Sequence, residues 1–211
     1  MTSEPEGPPA PPRSRVTAIA VLGLALTGIA IGALWAWIAP PIHVVVAITR
    51  SGERVHDYLG TESDHFFDLP CVMLGLLTVL AVVTPVLVWQ WRKHRGPVMV
   101  VAVSIGMVIA AAAASGVGAL LVRLRYGGLN VDAVPLLGSP SVAYVVEAPP
   151  VFFGHGLWQV AATLVWPAAI AALVYAVLVA GNARDDLGAL PLEDQSLPLA
   201  IEPDAPEAAV S

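Results

Sequence analysis

Residues 69–91 read LPCVMLGLLTVLAVVTPVLVWQW, 23 positions without an Asp, Glu, Lys, Arg or His. As a helix rising 1.5 Å per residue, the run is about 35 Å long, enough to cross the roughly 30 Å hydrocarbon core of a bilayer with modest tilt. It decides the fold because it is one of four. Val16–Ile38, Val98–Val122 and Leu157–Ala180 are equally free of ionisable groups and have 23 to 25 residues each. The whole chain agrees. Of its 211 residues 57% are hydrophobic and 12% charged, about half the charged share of a soluble domain. The predicted fold is an all-α integral membrane protein, a four-helix transmembrane bundle with both termini on one side. Long loops at 39–68 and 123–156 share the other side. A six-residue loop, 92–97, lies on the side of the termini.

The basic residues orient the bundle. Arg13 and Arg15 precede the first run, Arg92, Lys93 and Arg95 fill the short loop, and Arg184 follows the fourth. The long loops hold only Arg50, Arg54, Arg123 and Arg125 in far more chain. Cytoplasmic segments retain the excess of Lys and Arg, so the termini and 92–97 are expected inside a plasma membrane and the long loops outside. Trp35, Trp37, Trp89, Trp91 and Trp158 stand at the ends of the runs, where amphipathic rings favour the headgroup level. Trp166 lies deeper and reads as packing. The first run is longer than a signal-peptide core of about 7–15 residues and lacks a small-residue cleavage site, so it reads as a retained helix.

The net charge of −6 is concentrated in the tail: residues 185–211 carry seven acids and no base. The remainder is close to neutral, and no nucleic-acid partner is implied. Cys71 is the only cysteine, which rules out an intrachain disulfide. Residues 1–15, with five prolines, and the acidic 181–211 read as disordered cytoplasmic tails.

Between membrane helices, close backbone approach replaces the hydrophobic effect as the source of association. Gly28 and Gly32 form one small-residue ridge, Gly106, Ala110, Ala114 and Gly118 a second, and Ala168, Ala172 and Ala176 a third, each spaced by four residues and so on one helix face. They are expected to pack the bundle, with a homo-oligomer as the other use of such ridges. Pro85 and Pro167 fall inside runs and predict kinks. No run carries a charge or histidine, which argues against a proton relay or an ion-coupled transporter.

Chemistry therefore collects in the long loops. Val44–Thr49 and Val142–Val146 are β-branched runs that predict a short hairpin or two-stranded sheet against the bundle. GTESDHFFDLP, residues 60–70, sets Glu62, Asp64, His65 and Asp68 beside two phenylalanines, and PPVFFGHG, residues 149–156, repeats the Phe-Phe/His pattern before the last run. His65 and His155, with Asp64 and Glu62, are the catalytic candidates. His65, His155 and Asp68 are the metal candidates, because imidazole and carboxylate together suit acid–base work or zinc. His43, His56, Asp132 and Glu147 are further donors on the same side. The plainer reading makes Phe66, Phe67, Phe152 and Phe153 interfacial anchors and Asp68 the N-cap of the second helix, with Pro70 tolerated in its first turn. Thr61 and Asp64 are expected to open a short helical turn. Arg123 and Arg125 flank the end of the third run, where one can pair with Glu147 or an acid of the first long loop and the other with lipid headgroups. No HExxH, HxH, CxxC, phosphate loop, dinucleotide fingerprint or nucleophile elbow occurs, and no cofactor is implied.

The run YLGTESDHFFDLPCVMLGLLTVLAVV, followed by WQWRKHRGP, EAPPVFFGHG and NARDDLG, resembles a family of actinobacterial, chiefly mycobacterial, four-span membrane proteins classed as a domain of unknown function. The resemblance covers roughly residues 16–188. It implies an integral protein of the cell envelope and carries over no activity, cofactor or site. The sequence thus leads to a non-catalytic envelope component that binds a protein or lipid partner through its outer loops. The alternative is a membrane-embedded enzyme or metal-binding protein at the outer face, and a transporter stands third.

Overall fold

A computed structural model describes residues 13–92, 95–136 and 142–182. The tails fall outside these residues apart from a few positions at their inner ends, as do Lys93 and Arg184. Four helices dominate: α1 (Arg13–Ile38), α2 (His65–Trp89), α3 (Pro97–Tyr126) and α4 (Leu157–Ala180). All four are long and apolar enough to cross a membrane. Their ends follow local chemistry. α1 stops before Pro40–Pro41, a pair that cannot continue a helix. α3 opens on Pro97, where a missing N–H costs nothing, and closes at Gly127 with φ 79°. α2 begins earlier than expected, at His65, because the 3-10 turn Glu62–Asp64 after Thr61 runs straight into it. Asp68 therefore lies in the first turn of α2. It is not the N-cap; that position is Asp64, which makes no side-chain capping bond.

The helices pack in the order α1–α3–α4–α2, and α2 touches α1 and α3 only lightly. α3 is the hub and the most buried of the four helices, and α1 is the least. Small residues create the α1–α3 seam. A Cβ on Gly28 would strike the carbonyl of Ala110, and one on Gly32 that of Ala114. Gly106, Gly118 and Ala168 are buried too, but on α4 the buried stripe continues through Ala171, while Ala172 is half-buried and Ala176 exposed. Helices α2 and α4 run on through Pro85 and Pro167.

The core has two layers within the bundle. One contains Leu24, Ala81, Met99, Met107, Ala171 and Tyr175. The other contains Trp35, Leu69, Met73, Leu77, Ala114 and Val151. At the end near the α2–α3 turn, Arg95 donates from Nε to the carbonyl of Trp89 at 2.9 Å and its guanidinium lies 4.3 Å over that indole. Tyr175 stands edge-on to the same ring, and its hydroxyl accepts from the Gly96 amide at 3.3 Å. Trp89 and Arg95 thus close the turn as packed residues. At the opposite end Trp35 is fully buried, whereas Trp37 is exposed.

That opposite end carries a cap of three strands, one more than the sequence suggested: β1 (Ile42–Ile48), β2 (Arg54–Tyr58) and β3 (Val142–Glu147), in the order β2-β1-β3, both pairings antiparallel. β2, RVHDY, is an edge strand with charged side chains and little burial. That composition suits an open edge and hides the strand from an apolar-pattern search.

Candidate functional site

The cap is built around β1. Its alternation sends Ile42, Val44 and Val46, all fully buried, to one face. There they meet Val134 and, around it, Tyr58, Phe66, Leu129, Val131 and Val145. Arg54 closes this layer: its Nη1 donates to the carbonyls of Val131 at 2.9 Å and Val134 at 2.8 Å, tying β2 to the short 3-10 turn Val131–Ala133. Register puts Glu147 opposite Ile42, Tyr58 opposite Val44 and His56 opposite Val46, so all three share this side. Burial raises the Glu147 carboxyl above its usual range, with the His56 charge pulling partly the other way. Burial, then the Glu147 charge, raises the Tyr58 phenol.

The other face is open. His43, Val55, Tyr144 and Val146 project there, with Leu59 following β2. Tyr144 is 74% exposed, and Val55, Val146 and Leu59 are about two-fifths exposed. His43, Leu59, Tyr144, Val145 and Val146 line a shallow groove of ≈ 460 Å³.

At one edge of this face Glu62 joins strand to helix. Its Oε1 lies 3.0 Å from His43 Nδ1, its Oε2 accepts from the His43 amide at 3.3 Å, and the same Oε2 lies 3.2 Å from His65 Nδ1. The last contact is electrostatic, because the Nδ1 atom is buried without hydrogen-bond geometry. One carboxylate thus spans two imidazoles that stand 22 positions apart in the chain.

The remaining sequence candidates do not join this cluster. Asp64 and Asp68 are exposed. The Asp132 amide is held by Asn130 Oδ1 at 3.2 Å. His155 is exposed in the turn before α4, and among the described residues no hydrogen bond or ion pair links it to His65. What meets across the two loop ends is aromatic: the Phe67 and Phe153 rings lie 5.6 Å apart. Phe66 instead packs at 5.1 Å on Tyr58 in the cap core, and Phe152 is half-buried against the bundle. Among the described residues no three His, Cys, Asp or Glu side chains are arranged to hold a metal ion. Arg123 is exposed, and Arg125 lies 5.0 Å over the Tyr126 ring. The sequence reading missed the His43–Glu62 pairing and the Arg54 clasp, because both depend on strand register over long separations.

The family described as "Protein of unknown function (DUF2567)" matches residues 24–189. An uncharacterised protein of Mycobacterium leprae (strain TN) is 68% identical over 178 residues, covering 84% of this chain and 90% of its own. Uncharacterised proteins of Mycobacterium tuberculosis (strain H37Rv) and Mycobacterium bovis are 61% identical over 193 residues, covering 90% of this chain and all of theirs. No solved structure matches the chain.

Proposed function

The chain belongs to the DUF2567 family of unknown function, and we propose that it is a non-catalytic, multi-pass component of the plasma membrane whose cap recruits a protein of the cell envelope. In this reading the termini lie in the cytoplasm and the sheet faces outward. The observation that carries it is the open face of the sheet. Tyr144, Val146 and Leu59 line a shallow groove, with Val55 on the same face beyond Asp57, on a cap whose strand β1 is joined to the start of α2 by Glu62 and whose strand β2 is held within the cap by Arg54. An exposed aromatic among apolar neighbours on a rigid support is the composition of a protein-binding hot spot. The groove is open and, among the described residues, lined mostly by apolar side chains, which suits a protein surface better than a small substrate.

The test is a photo-reactive amino acid at Tyr144 in intact cells, followed by purification in mild detergent. The expected result is a discrete cross-linked partner that is lost when Val146→Lys is added, with the thermal stability of the protein unchanged. Tyr144 cross-linking to nothing, or a partner retained in the Val146→Lys variant, overturns the reading. A cross-link to a second copy of the chain replaces the envelope partner with a homo-oligomer.

A further inference from the structure

A second cleft lies lower, between α2 and α4. It measures ≈ 210 Å³ and is lined by Leu74, Phe153, Gln159, Ala162, Thr163 and Trp166. This is below the roughly 300 Å³ at which sites for drug-sized ligands begin, and it suits a single hydrocarbon chain. Phe153, Gln159, Ala162 and Trp166 are exposed, so the cleft opens away from the core. From Gln159 to Trp166 it follows seven residues of α4, about 10 Å along the helix axis.

The polar groups of the walls are satisfied from within. Trp166 Nε1 donates to Thr78 Oγ1 at 3.1 Å, Thr78 Oγ1 donates to the Leu74 carbonyl at 2.7 Å, and Thr163 Oγ1 donates to the Gln159 carbonyl at 2.9 Å. The surface left is apolar, with one exception. The carboxamide of Gln159, at the end nearest the cap, makes no hydrogen bond among the described residues.

The chain makes room for that carboxamide. A Cβ on Gly156 would strike Gln159 Oε1, and one on Gly154 would come within 3.2 Å of Gln159 Nε2. Gly156 has φ −71° and ψ 142°, a backbone conformation open to any residue. Glycine is not needed there for the turn; it leaves space for the amide.

We propose that the α2–α4 cleft binds one acyl chain of an ester-linked membrane lipid, with the ester carbonyl accepting a hydrogen bond from Gln159 Nε2. The proposal rests on the membrane-spanning reading of the helices and is independent of the partner on the cap. The bilayer supplies the occupant, because α2 and α4 are both helices of membrane-crossing length and the cleft opens on their outer surface. A buried apolar chain fits the walls, and a carbonyl at the mouth gives the unused amide its partner.

The experiment reconstitutes the full chain in vesicles of phosphatidylglycerol carrying brominated acyl chains, ester-linked or ether-linked, and reads quenching of Trp166 as the difference from Trp166→Phe. The expected result is tighter occupancy by the ester lipid, by roughly fivefold for one hydrogen bond. Gln159→Leu should remove that preference and keep quenching. Ala162→Phe should fill the cleft and reduce quenching by either lipid. Equal quenching in the parent protein and Ala162→Phe means ordinary boundary lipid and overturns the proposal, as does an ester preference that survives Gln159→Leu. Failure of the parent protein to enter vesicles strikes the membrane-spanning reading itself.

Discussion

The indole N–H of Trp35 donates to the backbone carbonyl of Leu69 across 2.9 Å, with the Trp35 side chain fully buried. This is the main tie between α1 and α2, which otherwise touch lightly, and it places a large ring in the core layer beneath the cap. Trp35→Ala removes the bond and leaves a void, so it should destabilise the protein by about 3–5 kcal/mol. Trp37→Ala, at a ring that is 76% exposed, should stay within about 0.5 kcal/mol. Unfolding of the two variants in detergent checks the contrast. Equal losses would mean that Trp35 acts at the membrane edge like its neighbour.

The α1–α3 seam makes a similar contrast among glycines. Gly28 and Gly32 face the carbonyls of Ala110 and Ala114 with no room for a methyl group, while a Cβ on Gly23 meets nothing within 4 Å. Gly28→Ala and Gly32→Ala should each cost about 1–3 kcal/mol by forcing the helices apart. Gly23→Ala should be neutral or slightly stabilising, because alanine favours the helix by about 1 kcal/mol. Thermal stability in one detergent measures all three. A destabilised Gly23→Ala beside an unaffected Gly28→Ala would place the seam on another face.

These two cases mark what was legible in the sequence. The four helices could be read because a membrane span is a one-dimensional signal, and the Gly28–Gly32 ridge because helical spacing is local. The burial of Trp35 could not, since its partner is 34 residues away and interfacial and buried tryptophans share the same sequence position. The candidate site was half visible. Glu62 and His65 stood out as neighbours, but His43 joins them only through the pairing of β1 with its surroundings. β2 was missed because an edge strand with charged side chains carries no apolar alternation. His155 looked like the mate of His65 through a repeated Phe-Phe pattern, yet the contact between those two loop ends is Phe67 on Phe153.

Glu147 gives the cap a pH dependence. Its carboxyl is raised above the ordinary 4.5, first by burial, against a smaller opposing pull from His56. A raised carboxyl means that the folded cap favours the protonated form. Its contribution is fully present below the ordinary value and is lost as pH rises through the raised one. Tyr58 faces the same side and, with its phenol raised above 10.0, adds a second loss only in strong alkali. Glu147→Gln should therefore be the more stable protein at neutral pH and should flatten the acid-side profile. Unfolding of both proteins from pH 4.5 upward reads this directly. A parent protein that gains stability over that range contradicts the sign.

Glu62 should matter to the cap more than to the bundle. It links the His43 side chain and amide to the first turn of α2, in a partly exposed setting. Such pairs contribute up to about 1 kcal/mol. Glu62→Ala should raise hydrogen exchange at the start of β1, around His43, and leave the Met107 and Ala110 amides of α3 protected. Glu62→Gln, which keeps an acceptor, should fall between. Exchange rising equally in cap and bundle would make the two one cooperative unit and remove Glu62's local role.

The distribution of cations predicts an orientation. Arg13, Arg15, Arg92, Lys93, Arg95 and Arg184 gather around the termini and the tight 92–97 turn. At the cap end Arg54 is engaged with two carbonyls and Arg125 lies over Tyr126. The denser cluster should remain in the cytoplasm. With Cys71 replaced by alanine to silence the only native thiol, Ser51→Cys sits in the exposed turn between β1 and β2. It should react with an impermeant maleimide in intact cells. Ser196→Cys, in the acidic tail, should react only after the membrane is opened. The reverse pattern would put the sheet in the cytoplasm and exchange the envelope partner for a cytoplasmic one. The α2–α4 cleft would then take its chain from the inner leaflet, with Gln159 still at the polar end.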